Sequence, residues 1–209
     1  WLEGAAVVIW TTTPWTIPAN RAVAFGPDID YVLLEAGGRR LVLAEKLVEE
    51  VMARAGLHGW KLLETFKGEA LAGSIAAHPL AGHAGAYGFA VPLLPADFVS
   101  DAEGTGLVHI APSHGADDFE LGQRHGLDVP DTVAEDGSYT DAVPGFQGVH
   151  VFKAAGPVLE ALQAKGALLA HGTLVHAYPH SWRSKAPLIF RATAQWFIPI
   201  EGPHALRAK

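Results

Sequence analysis

Three adjacent hydroxyls raise the first question of chemistry. The stretch "WTTTPWTIPAN" (Trp10 to Asn20) sets Thr11, Thr12 and Thr13 between two tryptophans and closes on Pro18 and Asn20. A capped loop satisfies its backbone with one or two such hydroxyls. Three also suit a polar wall that hydrogen-bonds a ligand, and both readings stay open on residue types alone. If the preceding strand continues into them, Thr11 and Thr13 share one face and Thr12 takes the other. Pro14 and Pro18 stiffen the turn that follows.

A second group lies in "GTGLVHIAPSHGADDFELG" (Gly104 to Gly122). His109 falls in an apolar strand. Asp117 and Asp118 fall in the first turn of a helix that Ser113 is placed to cap. All three converge on one strand–helix junction, where a carboxylate orients a substrate ammonium or a water. The plainer alternatives are a satisfied core histidine and two acids that complement the helix dipole. The segment is not a phosphate loop, since it lacks the Lys-Ser/Thr ending and runs into a strand.

Other chemistries find little support. His109 with His114, or His171, His176 and His180, do not have the spacing of a zinc motif, and the chain has no cysteine, so no metal is expected. Ser113 lies in no Gly-x-Ser-x-Gly elbow. "YPHSWRSKAPLIFRATAQWFI" (Tyr178 to Ile198) interleaves aromatics with Arg183, Lys185 and Arg191. Such a stretch stacks bases and contacts phosphates, or forms a strand pair over a core edge.

These groups need a scaffold. The 209 residues suffice for one large domain, and 49% hydrophobic content supplies its core. With 15 basic and 22 acidic side chains the formal charge is −7. RNA contact must then be local, at Arg39–Arg40 or at Arg183, Lys185 and Arg191, rather than spread over a basic surface. Without cysteine there is no disulfide or thiolate nucleophile, which fits a reducing cytoplasm. No apolar run approaches the roughly 18 residues of a membrane span, so no membrane partner is expected. The chain opens on Trp1 rather than Met and reads as an excised piece of something longer.

The scaffold reads as follows. "GAAVVIW" (Gly4 to Trp10) is predicted as a buried strand, with further strands at "RAVAFGP", "DYVLLEA" and, after a Gly37-Gly38 hairpin, "RRLVLA". Leu47, Val48, Val51 and Ala55 mark a helix over about 44–55, ended by Gly56. "WKLLETFKG" and "GLVHIAP" are strands. Residues 70–95 are irregular with short strands. A helix follows Ser113 and stops near Gly126, and another carries Ala155, Val158, Leu159 and Leu162 up to Gly166. "LLAHGTLVHAYP" and "APLIFRA" look strand-like. Many strands and three helices without a β-α-β rhythm predict an α+β fold.

Taken together, four segments resemble the editing (connective peptide 1) domain of a bacterial-type isoleucyl-tRNA synthetase. They are "WTTTPWTIPANRAVA", "GTGLVHIAPSHGADDFELG", "GVHVFKAAGPVLEALQAKGALL" and "YPHSWRSKAPLIFRATAQWF", in order across essentially the whole chain. Valyl and leucyl relatives carry arginine and an acid where this chain has Thr13 and Trp15, which favours the isoleucyl class. The resemblance implies a mostly β, barrel-like domain over residues 1–209 with about three peripheral helices, and residues 178–209 returning toward the catalytic core. It implies hydrolytic proofreading of Val-tRNA(Ile), and of valyl-adenylate, in the cytoplasm and without a cofactor. The implied partners are the aminoacyl end of tRNA(Ile), its valine moiety and the rest of the synthetase. Asp118 would hold the α-ammonium, with Asp117 beside it. Thr11, Thr12 and Thr13 would surround the ester and the terminal adenosine. His109 would limit side-chain size, Trp10 would line the site, and Asn20 matches a further position of it. Arg183, Lys185 and Arg191 would meet tRNA.

Two departures follow. The His-Ile-Gly-His and Lys-Met-Ser-Lys-Ser signatures are absent, so this stretch is not expected to activate amino acids. His180 and Ser181 stand where some relatives have cysteine, which speaks against a metal ribbon. The rival reading is an acceptor-end binding module without hydrolysis of its own.

Overall fold

In the computed structural model the described residues are 1–175, 177–196, 198–201 and 207. The longest apolar runs show how the layers form. In β3 (Asp30–Ala36), Tyr31 and Leu33 face one hydrophobic cluster while Val32 and Leu34 face another. A strand buried on both faces has no polar side to alternate. β4 (Arg39–Ala44) pairs antiparallel with β3 through a turn at Gly37-Gly38. β5 (Lys61–Lys67) pairs with the other side of β3, and the short β1 (Ala5–Val7) runs parallel to β4. The first sheet is therefore β1-β4-β3-β5.

The second sheet takes β2 (Ala22–Phe25), β6 (Ile75–Ala77), β7 (Ala90–Pro95) and β8 (Leu107–Ile110) in the order β6-β7-β2-β8. β2 is parallel to β7 and antiparallel to β8. Val23, Phe25, Leu93 and Leu107 of this sheet meet Tyr31, Leu33 and Val42 of the first in a shared core. α1 (Val48–Arg54) covers the outer face of the first sheet through Val48 and Met52. α2 (Ala116–His125) covers the second through Leu121 against Ala22, Ala24 and Ile110. α3 (Ala155–Ala164) belongs to a separate cluster, in which Val158, Ala161 and Leu162 pack with Trp15 and Ile17.

The α+β, mostly β architecture with three α-helices agrees with the expectation, and the helix over 44–55 opens with a 3-10 turn, Glu45–Leu47. The two sheets stay separate among the described residues, so the barrel-like arrangement is not a closed barrel. Other expectations are corrected. β1 is short and partly exposed because it pairs on one side only, against β4. Ser113 does not cap α2: Gly115 occupies the N-cap, and the Ser113 hydroxyl donates to the Pro130 carbonyl at 2.5 Å. Past α3 no strand forms among the described residues, only an isolated bridge between His180 and Pro187. No helix among them is long and apolar enough to cross a membrane.

The loop before β8 is bolted to the shared core. The buried Tyr31 hydroxyl donates to the Gly106 carbonyl at 2.5 Å and accepts the Gly26 N–H at 3.0 Å. Gly106 has φ +74°, and a Cβ there would stand 2.3 Å from the Ala44 Cβ. Gly106→Ala combines a left-handed backbone with overpacking and is expected to cost on the order of 3 kcal/mol. Urea unfolding checks this, and a loss below about 1 kcal/mol would show that the loop yields freely.

Candidate functional site

The threonine loop takes its shape from its own prolines and hydroxyls. β1 has ended at Val7, so Thr11–Thr13 are not strand residues and do not alternate between faces. Instead the Thr13 N–H donates to the Thr11 hydroxyl at 2.9 Å, and the Thr12 and Thr13 hydroxyls lie 3.4 Å apart. Pro14 then starts a 3-10 turn, Pro14–Ala19, where its fixed φ and missing N–H suit the first position. Trp15 and Ile17 project from that turn into the α3 cluster, and the Tyr139 hydroxyl donates to the Trp15 carbonyl. Trp10 stays exposed, with its ring beside Gly104.

Thr16 is the residue that the sequence reading missed. Its hydroxyl donates to the Thr13 carbonyl at 2.9 Å and lies 3.0 Å from His109 Nε2. In a 3-10 turn residues three apart eclipse, so a threonine three positions after Thr13 was the available signal. Asn20 ends the same turn and is buried. Its Nδ2 donates to the Ala22 carbonyl at 2.8 Å and lies 2.7 Å from His109 Nδ1. The ring of His109, on β8, is therefore tied at both nitrogens to the loop that carries the threonines. Burial lowers its pKa to about 3, helped by the nearby His78 and His114.

Two residues beyond His109, the Ala111 N–H donates to Asp118 Oδ2 at 2.8 Å. Asp118 is half-buried, whereas Asp117 is exposed on the first turn of α2. Burial raises the Asp118 pKa, with the Ala111 N–H pulling the other way and the Asp117 charge adding to the rise. The carboxyl folds back over Gly115, where a Cβ would come within 2.9 Å of its Cγ and Oδ1. The junction also holds His114. Its ring lies edge-on to Trp15 at 4.8 Å, its Nδ1 is 2.8 Å from the Phe190 carbonyl, and its Nε2 is 2.7 Å from the Thr132 hydroxyl.

The structure thus brings Thr13, Thr16, Asn20 and His109 into one hydrogen-bonded unit, with Asp118 anchored on the backbone beside it. Recesses of about 310 Å³, bordered by His78 and Tyr87, and about 260 Å³, bordered by Arg21 and Asp128, lie elsewhere and include none of these residues. The basic candidates divide. Arg183 is exposed and stacks on Trp182 at 4.6 Å, and Lys185 is exposed on the same turn. Arg191 is half-buried and donates to the Val133 carbonyl at 3.3 Å. Among the described residues no three metal-ligating side chains converge. His176 lies outside them.

No protein-family model matches the chain. Its sequence is 49% identical along its whole length to part of the isoleucine--tRNA ligase of Gluconobacter oxydans, and 47% identical along its whole length to part of that of Pelagibacter ubique. It spans 24% and 23% of those two relatives, about a quarter of their length. Its fold matches the crystal structure of GlLeuRS-CP1 with a TM-score of 0.60, over 85% of this chain and 87% of that one, at 16% identity. The fold is therefore that of the CP1 domain of GlLeuRS, and the sequence matches one part of the isoleucine--tRNA ligases. Along its whole length the chain is homologous to a segment of the isoleucine--tRNA ligases.

The buried histidines carry a consequence for stability. His78 donates from Nε2 to the Ile17 carbonyl at 3.2 Å and accepts the Leu80 N–H at 3.1 Å. Burial lowers its pKa to about 4, and lowers that of His114 as well. With folded pKa values below the unfolded 6.5, the unfolded chain binds more protons as pH falls, so stability drops below about pH 6.5 and levels off near pH 3–4. The raised carboxyl of Asp118 acts in the opposite sense, but only as pH nears the carboxylate range. Each histidine removes at most about 2 kcal/mol by pH 5. Urea unfolding at pH 7.5 and pH 5 should show that loss, and equal stabilities would mean that these rings are protonated without penalty.

Proposed function

We propose that this domain hydrolyses valine from misacylated tRNA(Ile), and valyl-adenylate in the same site, as the proofreading part of an isoleucine--tRNA ligase. One observation carries the reading: a half-buried carboxylate, Asp118, is fastened to the backbone just past β8, two residues from a histidine tied to a hydroxyl-rich loop. Asp118 pairs with the α-ammonium of the aminoacyl group, which offsets the desolvation that raises its pKa. The other polar groups of the wall are neutral hydroxyls and amides, so the ammonium has one anionic partner to choose.

Anchored there, the ester carbonyl lies along Thr11, Thr12 and Thr13, whose hydroxyls and backbone N–H groups position a water. The water oxygen bonds to the carbonyl carbon, the carbon–oxygen bond to the ribose breaks, and a proton passes to the ribose oxygen. With its pKa near 3, His109 is too weak a base to take the proton from water. Its role is steric: the ring limits the side chain to valine. An aminoacyl ester is already activated, so orientation supplies much of the rate. A second, smaller site is needed because one methylene in a hydrophobic pocket is worth only about 1–3 kcal/mol, for which isoleucine against valine is the reference example. Exclusion by bulk is stronger, since a packed wall resists insertion.

Asp118→Ala is expected to lower kcat/KM for Val-tRNA(Ile) hydrolysis on the order of 100-fold with the fold intact. Gly115→Ala keeps the acid and displaces it, and should lower the same rate. His109→Ala should open the domain to Ile-tRNA(Ile). Deacylation of the two charged tRNAs, with circular dichroism as the folding control, checks all three. Unchanged valine hydrolysis in Asp118→Ala removes that residue from the site. Tight binding of the acceptor end with no hydrolysis by the unmodified protein supports the binding-module alternative instead.

A further inference from the structure

We propose that Asn20 is a positioning residue that fixes the proton of His109 on Nε2, and so fixes which way the Thr16 hydroxyl points. The inference rests on the editing reading for its consequence, but not for its geometry. Asn20 Nδ2 lies 2.8 Å from the Ala22 carbonyl and 3.4 Å from that of Ile110. The short contact to the Ala22 carbonyl requires that atom to be the amide nitrogen, which settles the orientation of the side chain. The same nitrogen is 2.7 Å from His109 Nδ1. Its two hydrogens go to the two short partners, the Ala22 carbonyl and Nδ1, while the Ile110 carbonyl at 3.4 Å only shares one of them, so Nδ1 must be the acceptor.

The remaining steps follow without choice. A neutral imidazole that accepts at Nδ1 carries its proton on Nε2. Nε2–H then donates to the Thr16 oxygen at 3.0 Å, and the Thr16 hydroxyl donates onward to the Thr13 carbonyl at 2.9 Å. A directed chain of donors thus runs from Asn20 through His109 and Thr16 to the backbone of the triplet. It turns the Thr16 hydrogen away from His109 and leaves the ring unable to accept from a substrate.

The amide is held at a cost. Asn20 is 3% exposed, and its Oδ1 is buried without a donor among the described residues. A buried acceptor left unpaired costs about 1–3 kcal/mol, and an apolar residue in its place would not incur that cost. Only the NH2 end has partners, and the part of its work that a backbone contact would not need is the His109 bond. The other titratable groups whose fields reach His109 are His78 and His114. Both have ring nitrogens placed against backbone or hydroxyl partners, so neither offers His109 a competing partner.

Two-bond 15N–1H correlation spectra of the protein with 15N-labelled histidine report the tautomer directly. The unmodified protein should show His109 protonated on Nε2 at pH 7.5, and protonation on Nδ1 overturns the proposal. In Asn20→Asp the carboxylate accepts from Nδ1–H, so the proton should move to Nδ1. The pH profile of Val-tRNA(Ile) hydrolysis should gain a new titration near neutrality, and kcat should fall by about tenfold or more with KM within about twofold. A moved proton with unchanged kcat and pH profile overturns the positioning role. Should Asn20→Asp fail to fold, Thr16→Val decides: it removes the partner of Nε2 and leaves that of Nδ1, so the proton stays on Nε2 if Asn20 sets it. A shift to Nδ1 in Thr16→Val overturns the proposal. A protein that shows the expected tautomers yet never hydrolyses the ester upholds the lock and sinks the editing reading.

Discussion

The site depends on the burial of two side chains in a loop that no strand holds. Thr11–Thr13 lie between the end of β1 and a 3-10 turn, and a run of that kind would be mobile on its own. Trp15 and Ile17 anchor it in a cluster built from residues as distant as Leu80, Tyr139, Phe146 and Leu162. Burying two such side chains stabilises the arrangement by about 1.5–3 kcal/mol each. The Tyr139 hydroxyl adds a bond to the Trp15 carbonyl. The hydroxyl wall at the start of the chain therefore takes its position from the second half of the chain.

The electrostatics of the junction follow from what surrounds that anchor. His78, His109 and His114 are all held with lowered pKa values, and each has partners at both ring nitrogens. Polar networks satisfied in this way rigidify a core without adding charge. Asp118, by contrast, sits half-buried with a raised pKa although backbone N–H groups, that of Ala111 first, donate to it. A half-buried carboxyl with a second acid beside it and no cationic partner among the causes of its shift suits a cationic group, and an α-ammonium is the cation that every aminoacyl ester carries. The tail joins the same junction. The Ala192 N–H donates to the Ser113 carbonyl at 2.8 Å, and Phe190 lies against His114. The segment expected to lead back to a catalytic core thus touches the loop that leads into the helix bearing the acid.

Much of the scaffold could be read from the sequence because its signals are local. β3 and β4 match the apolar runs on either side of Gly37-Gly38, and α2 stops at Gly126, whose φ is +65°. The errors lie where tertiary contacts decide. The Gly4–Trp10 run looks like a buried strand, but one partner strand leaves it short and partly open. Ser113 has the chemistry of a cap, yet the Pro130 carbonyl, seventeen positions on, claims its hydroxyl. Among the described residues the strand-like tail joins no sheet edge. For the site, residue types brought attention to the triplet, His109 and the Asp117–Asp118 pair, and the family resemblance added Asn20 and singled out Asp118. Their mutual bonds were not legible, because the link between His109 and Asn20 spans 89 positions and that to Thr16 spans 93. Nor was it legible that the Arg191 guanidinium, singled out for its charge, also donates to the Val133 carbonyl, 58 positions away.

The central claim is that one aminoacyl group touches the carboxylate, the threonines and the histidine together. A structure of the protein with a nonhydrolysable valyl-adenosine analogue tests it most directly. The account predicts the ammonium within hydrogen-bond distance of Asp118, the isopropyl group against the His109 ring, and the ribose and carbonyl oxygens along Thr11–Thr13. An analogue bound away from Asp118, for instance only beside Arg183 and Lys185, would contradict it.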